Sequence, residues 1–143
     1  MMTPPDARAL ARLLALARRA RAAAYCPYSG FAVGAAVLGA SGRWFSGANV
    51  ENASYGLTVC AERVAVLTAV ARGERALLAL AVVTSSDPPA APCGACRQVL
   101  WEFWHPLGRE WPTVVLGAPS GPPSRSLSLA ALLPDAFGPA TLA

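Results

Sequence analysis

Three cysteines and one glutamate lie in two short segments of this sequence. Residues 60–63 read CAER and residues 92–97 read PCGACR, so the two segments hold three of the four cysteines. Three soft thiolates favour a zinc ion, and three protein ligands leave its fourth tetrahedral position free for water. A carboxyl group beside that water is what a proton-shuttling hydrolase needs. The predicted ligands are Cys60, Cys93 and Cys96, and the predicted proton carrier is Glu62.

Each of the two segments is predicted to begin a helix. Cys60 opens an apolar run that ends near Gly73, and Cys93 follows Pro92 ahead of a second helical pattern. The partial positive charge at a helix N-terminus lowers a thiol's pKa and so favours the thiolate. Between the helices, residues 77–84 form an apolar run typical of a buried strand. A helix, a strand and a helix with short connections can bring the two helix starts to one sheet edge.

An arginine directly follows each motif. Three thiolates and Zn²⁺ carry a net charge of −1, which weakens the metal as an electrophile. Arg63 and Arg97 can donate hydrogen bonds to sulfur and offset that charge. The alternative for each is a solvated surface arginine.

Two other interpretations of the cysteines remain open from the residues alone. A Cys-Gly-Ala-Cys pair is also typical of a thioredoxin-like redox motif, but that reading leaves Cys60 and Glu62 unused. A structural zinc site needs four ligands, and the spare candidates are Cys26 and His105. Neither lies at the close ligand spacing of the PCGAC segment, and His105, beside Pro106 and among aromatic residues, is more typical of a packed or surface histidine.

The composition indicates one compact domain over residues 1–143. Charged residues make up 14% and apolar residues 55% of the sequence, which suits buried subunit contacts. The formal charge of +4 is modest and dispersed, so no nucleic-acid partner is expected. No apolar stretch reaches the roughly 20 residues that span a bilayer, so no membrane partner is expected either. The clustered cysteines suit a reducing compartment, which predicts the cytoplasm.

The pattern of helices and strands predicts an α/β fold. A first helix is expected over Pro4–Ala24 with Thr3 as its cap, although its arginines also suggest a transit peptide. The helices alternate with strands, which implies a three-layer α/β/α sandwich with a mixed sheet. The expected strands are 31–38, 43–48, 77–84, 113–117 and 125–128, followed by a short helix over 129–133.

Four segments, one of which contains the second cysteine motif, carry a resemblance to a known family. Residues 25–36 read YCPYSGFAVGAA, residues 47–55 read GANVENASY, residues 92–99 read PCGACRQV and residues 132–137 read LLPDAF. The non-ligand glutamate and the Pro-Cys-x-x-Cys segment are also those of zinc deaminases. The chain resembles the small, homotetrameric, zinc-dependent cytidine deaminases. This resemblance implies one zinc per subunit, a five-stranded sheet and active sites shared between subunits.

The same resemblance implies which residues contact a nucleoside. Asn49 and Glu51 match a pair that hydrogen-bonds the ribose, and Phe31 matches an aromatic residue that packs on the pyrimidine, with a core position as its alternative. The backbone of Ala61 matches a group that holds the base edge. Residues that match positions reaching a neighbouring subunit's ligand are Ala53, Tyr55 and Phe137.

The function that follows is hydrolysis of cytidine and deoxycytidine to uridine, deoxyuridine and ammonia, in pyrimidine salvage. Glu62 would take a proton from water as its oxygen attacks C4 of cytosine, and would pass protons to N3 and the leaving amino group. A related deaminase of the blasticidin S type is the runner-up, against which the intact residues 49–52 argue. A non-enzymatic zinc or redox module is the alternative from another class, against which Glu62 argues.

Overall fold

A computed structural model describes residues 2–143, which contain five strands, five α-helices and two short 3-10 helices, Tyr55–Leu57 and Pro106–Gly108. The helices are α1 (Ala7–Arg21), α2 (Ala61–Ala71), α3 (Gly94–Phe103), α4 (Leu129–Leu132) and α5 (Pro139–Leu142). The strands are β1 (Gly34–Gly39), β2 (Trp44–Ala48), β3 (Leu77–Val83), β4 (Val114–Gly117) and β5 (Pro123–Leu127). The strands form one sheet in the order β2-β1-β3-β4-β5.

The sheet is mixed, as the sequence predicted. β1 pairs antiparallel with β2 and β3, β3 runs parallel to β4, and β5 pairs antiparallel with β4 at the edge. β3 reads LLALAVV because both of its faces are covered, whereas the edge strand β5 is largely exposed. None of the helices in residues 2–143 combines the length and the apolar character that crossing a membrane requires.

Alternating side chains of the sheet bury against helices on its two faces. Ala36 and Leu38 of β1 pack with the apolar stripe of α1, whereas Ala35 and Val37 pack with residues of α2 and α3. The buried residues of α1 are Leu13, Leu14 and Ala17. Replacing a fully buried leucine by alanine lowers the free energy of unfolding by about 2–5 kcal/mol. The buried side chains of both helix layers therefore stabilise the sheet. The predicted three-layer α/β/α architecture is confirmed.

Helix α2 lies close to β2 because the strand carries a glycine where they meet. A Cβ atom built on Gly47 would lie 2.7 Å from the backbone nitrogen of Ala65. Because that distance is far inside van der Waals contact, any larger residue would push α2 away from the sheet. Gly47 therefore helps to fix the position of the helix that begins after Cys60.

The predicted start of α1 is wrong by several residues. The helix begins at Ala7, and the Oδ1 atom of Asp6 accepts a hydrogen bond from the backbone nitrogen of Ala9 at 2.8 Å. Asp6 rather than Thr3 is thus the cap, because its carboxylate satisfies a free amide of the first turn. Two arginines of the helix donate to distant backbone carbonyls: Arg21 to Ala32 and Arg18 to Ala118.

Strand boundaries also differ from the expected ones, most of all at β1. The strand begins at Gly34 rather than Phe31, because the Asn49 side chain occupies the backbone groups of the preceding residues. Asn49 Nδ2 donates to the carbonyl of Phe31 at 2.8 Å, and Asn49 Oδ1 accepts from the amide of Val33 at 2.9 Å. The other strands shift by one or two residues, and the pattern did not predict the short helix α5.

Candidate metal centre and active site

The two cysteine segments begin two neighbouring helices, as predicted. Cys60 is the residue before α2 and Cys93 is the residue before α3, and both have extended backbone angles typical of a helix cap. Cys96 lies in the first turn of α3 and is fully buried. The free amides and the dipoles of both helices therefore point toward the same group of sulfur atoms.

The spacing of the three sulfur atoms suits a zinc ion. Cys60 Sγ and Cys93 Sγ are 3.9 Å apart, and all three sulfurs lie within 4.8 Å of one another. Zinc–sulfur bonds of about 2.3 Å in tetrahedral geometry place sulfurs about 3.8 Å apart. Cys26 is not part of this group, and no disulfide joins any of the cysteines in residues 2–143. A catalytic zinc site typically has three protein ligands and a fourth position for water, which three thiolates would provide.

The charge on the sulfurs is set by their contacts with one another and with Arg63. A hydrogen bond with Cys96 lowers the pKa of Cys60 to about 5, although burial of the thiol acts to raise it. Arg63 Nη2 also donates a hydrogen bond to Cys60 Sγ at 3.4 Å, which lowers the pKa further. The same hydrogen bond with Cys60 raises the pKa of Cys96, and burial raises it further. Without metal, the pair formed by Cys60 and Cys96 therefore favours one thiolate and one retained proton. Metal binding must release that proton, because a thiolate is the ligand.

Glu62 lies in the first turn of α2 and is 5% exposed. Burial raises the pKa of its carboxyl to about 7, and the nearby Cys60 thiolate also raises it. A carboxyl with a pKa near neutrality can both accept and donate protons at the same pH. The helix therefore places an acid–base group directly beside two of the three cysteines.

Glu62, Cys60 and Cys93 line one cavity together with residues from several other parts of the chain. The predicted site residues Phe31, Asn49 and Ala61 are in its wall, and Phe31 is 39% exposed rather than a core residue. Five other residues of the wall were not predicted from the sequence: Val33, Thr58, Thr84, Ala90 and Ala91. Thr84 follows β3 where parallel strands β3 and β4 end, an edge that commonly binds ligands, so its position was a usable signal.

The structure gives Arg97 different partners from the one that the sequence predicted. Its Nε atom donates to the Pro92 carbonyl at 2.7 Å, and its Nη1 atom donates to the Leu132 carbonyl at 2.9 Å. The guanidinium therefore bonds to two backbone carbonyls, and the predicted hydrogen bond to sulfur is not observed. Arg97 thus ties the segment before Cys93 to the C-terminal part of the chain.

Two loops form the outer side of the cavity, and we call residues 25–33 and 49–58 the rim. The backbone of Tyr25 pairs with both Asn49 and Glu51, which holds the two loops together. The Glu51 carboxylate accepts hydrogen bonds from the amides of Tyr28 and Ser29. A second cavity, lined by Tyr28, Ser29, Glu51, Tyr55 and Thr58, shares Thr58 with the first.

Four of the predicted substrate-binding residues do not line the metal cavity of this chain: Glu51, which lines the second cavity instead, and Ala53, Tyr55 and Phe137. Ala53 and Tyr55 lie on the rim, where Tyr55 is 74% exposed. Phe137 is 56% exposed near the C-terminus, and its carbonyl accepts a hydrogen bond from Gln98 Nε2. The side chains of Ala53, Tyr55 and Phe137 therefore face outward from the single chain.

Comparison with known proteins agrees with this geometry. The zinc-binding region of cytidine and deoxycytidylate deaminases matches residues 8–106. A cytidine deaminase of Halalkalibacterium halodurans is 47% identical over 125 residues, which cover 87% of this chain and 91% of that protein. The crystal structure of cytidine deaminase from Burkholderia pseudomallei has a TM-score of 0.78 and 50% identity, covering 89% of this chain and 98% of that one.

A cytidine deaminase of Sporosarcina psychrophila is also similar, with 44% identity over 88% of this chain and 89% of that protein. These matches include both cysteine segments and the rim. The resemblance found in the motifs is therefore confirmed, and the chain belongs to the zinc-binding cytidine and deoxycytidylate deaminase family.

Proposed function

We propose that this protein hydrolyses cytidine and deoxycytidine to uridine and deoxyuridine with release of ammonia. The observation that carries the proposal is the buried carboxyl of Glu62 beside three sulfurs that leave one metal position open. The relatives named as cytidine deaminases support the choice of substrate. The whole chain, residues 1–143, acts as one catalytic domain.

Glu62 carries the protons in the proposed reaction. Cys60, Cys93 and Cys96 would hold a zinc ion, which would act as a Lewis acid and favour a water nucleophile at neutral pH. Glu62 takes a proton from the water that adds at C4 of the cytosine ring, and it gives a proton to N3. It then takes the remaining proton from the hydroxyl on C4 and delivers it to the amino group, so that the bond from C4 to that nitrogen breaks, ammonia leaves and C4 becomes the carbonyl carbon of uracil. The raised pKa of Glu62 suits a group that reverses its role within one cycle.

The rim and the start of α2 hold the nucleoside in this proposal. Phe31 packs on the pyrimidine, the backbone of Ala61 holds its edge, and Asn49 and Glu51 bind the ribose hydroxyls. The side chain of Asn49 already holds Phe31 and Val33 by hydrogen bonds, which fixes the ring relative to the sugar. Arg63 offsets the charge of the thiolates through its bond to Cys60.

We also propose a cytoplasmic homotetramer with shared active sites. Large apolar side chains stay exposed on the single chain, including Tyr55, Leu67 and Phe137. Such surface is typical of a subunit interface. Ala53, Tyr55 and Phe137 would then reach the nucleoside of a neighbouring subunit. Sedimentation under assay conditions tests this arrangement, since a fully active monomer would contradict it.

An ultraviolet assay tests the reaction itself. Cytidine absorbance should be lost together with stoichiometric release of ammonia, and a strong chelator followed by zinc should stop and restore the loss. Free cytosine should react far more slowly, because it offers no hydroxyl to Asn49 or Glu51. CMP should also react slowly, because the sequence has no Gly-rich phosphate-binding loop. Rapid turnover of cytosine or CMP would contradict the nucleoside assignment.

A further inference from the structure

The hydroxyl of Ser29 occupies a defined place between two residues of the rim. Ser29 Oγ accepts a hydrogen bond from the backbone nitrogen of Phe31 at 3.0 Å and donates to Glu51 Oε2. The amide of Phe31 donates to one lone pair of the Ser29 oxygen. The single hydroxyl proton of Ser29 is therefore directed toward the Glu51 carboxylate. Gly30 makes this geometry possible, since its φ of 68° reverses the chain between Ser29 and Phe31.

The hydrogen bonds of Glu51 leave it little freedom. Its Oε1 atom accepts from the amides of Tyr28 at 3.0 Å and Ser29 at 3.1 Å, while Oε2 accepts from the Ser29 hydroxyl. A carboxylate offers about four acceptor sites, so roughly one site remains, and it belongs to Oε2. The Ser29 hydroxyl is also the largest cause that lowers the pKa of Glu51, which keeps the carboxylate charged.

We propose that Ser29 is a positioning residue for the sugar, which sets the direction of the single acceptor site that Glu51 offers to a ribose hydroxyl. This role rests on the proposed contact of Glu51 with the ribose. Without the hydroxyl, the bonds to Oε1 still hold one oxygen, but Oε2 is free to rotate toward solvent. Ser29 thus acts on sugar recognition through Glu51, without touching the base or the metal.

Three substrates isolate the effect on the sugar: cytidine, 2′-deoxycytidine and 2′,3′-dideoxycytidine. The Glu51→Gln variant first identifies which hydroxyl Glu51 binds. Its kcat/KM should be lower than that of the unmodified protein for substrates that carry this hydroxyl, and equal for a substrate that lacks it. Ser29→Ala should then lower kcat/KM roughly 3- to 10-fold for the same substrates, the value of one ordinary hydrogen bond. The loss should lie mainly in KM and should be nearly absent for the substrate without the hydroxyl.

Three controls separate positioning from folding. Ser29→Thr keeps a hydroxyl and should restore sugar discrimination, while Ser46→Ala removes an exposed serine of β2 and should change nothing. In the Glu51→Gln background, Ser29→Ala should add little further loss, because both changes act on one contact.

Each outcome decides a specific claim. An equal loss for all three substrates in Ser29→Ala would overturn the positioning role and make Ser29 a general structural residue. A sugar-dependent loss in Glu51→Gln with none in Ser29→Ala would overturn the role of Ser29 alone. No sugar-dependent loss in Glu51→Gln would remove the proposed ribose contact, and the role of Ser29 with it.

Discussion

The metal centre and the rim differ in how the fold holds them. The metal centre combines the starts of two helices that pack on the sheet, and Glu62 and Cys96 are buried there. The rim consists of loops whose side chains are mostly exposed and which are joined by hydrogen bonds from Asn49 and Ser29. The chemical groups are thus fixed by the core of a single chain, whereas the substrate contacts depend on a few polar side chains.

This difference predicts how substitutions divide between the two regions. Changes at the metal centre should remove metal or turnover for every substrate, because its groups act on the cytosine ring. Changes at the rim should alter affinity and the choice of sugar while the metal stays bound.

Loss of a metal ligand should have the largest effect. Cys96→Ala leaves only two sulfur ligands and opens a space in the buried start of α3, so zinc and activity should both be lost. Metal analysis of the purified protein measures this directly, with one zinc per chain expected in the unmodified protein. Cys26→Ser is the matched control and should keep its zinc; loss of metal there would refute the three-sulfur assignment.

Arg63→Gln should weaken the metal centre without removing it. The change deletes the hydrogen bond to Cys60 Sγ, so the pKa of that thiol should rise and protons should compete better with zinc. Loss of such an outer partner typically costs 10- to 100-fold in metal affinity or activity. Competition with a chromophoric chelator measures the affinity. Arg97→Gln should affect zinc less, since that side chain bonds to carbonyls, and equal losses would contradict this distinction.

Glu62 should make the stability of the metal-free protein depend on pH. Its folded pKa of about 7 lies above the ordinary value of 4.5, so the folded state holds the proton more tightly. Stability from this group is present below pH 4.5 and is lost as pH rises through 7. At pH 8 the charged carboxyl should therefore cost on the order of 3 kcal/mol relative to a neutral group.

Denaturant unfolding of metal-free, reduced Glu62→Gln and unmodified protein at several pH values tests this expectation. The free energy of unfolding of the variant should exceed that of the unmodified protein at pH 8, and the difference should shrink toward pH 5. A difference that stays constant with pH would mean that Glu62 keeps an ordinary pKa in the folded protein.

The metal centre was more predictable from the sequence than the rim for a physical reason. Cys60 and Cys93 each stand at a local helix-start signal, and the apolar run of β3 connects the two helices. Local patterns therefore determine most of the ligand geometry. A mixed sheet could likewise be predicted. Short connections between strands allow antiparallel hairpins, whereas long connections that contain a helix allow parallel crossovers.

Features that depend on distant contacts could not be predicted in this way. Arg97 bonds to Leu132, 35 residues away, and the choice of that carbonyl is made by tertiary packing. The late start of β1 depends on the Asn49 side chain, which competes with strand pairing for the backbone of Phe31 and Val33. The cap at Asp6 was missed because Thr3 and the two prolines gave an equally good local signal.

The most direct test of the central claim is the turnover of Glu62→Gln at full zinc occupancy. The substitution keeps the size of the side chain and all three sulfur ligands, so the variant should bind one zinc per chain and still bind cytidine. Its kcat should fall by at least the factor of ~10² to 10⁴ typical of a lost acid–base group, for cytidine and deoxycytidine alike. Near-normal turnover by the zinc-loaded variant would show that Glu62 does not carry the protons and would contradict the account.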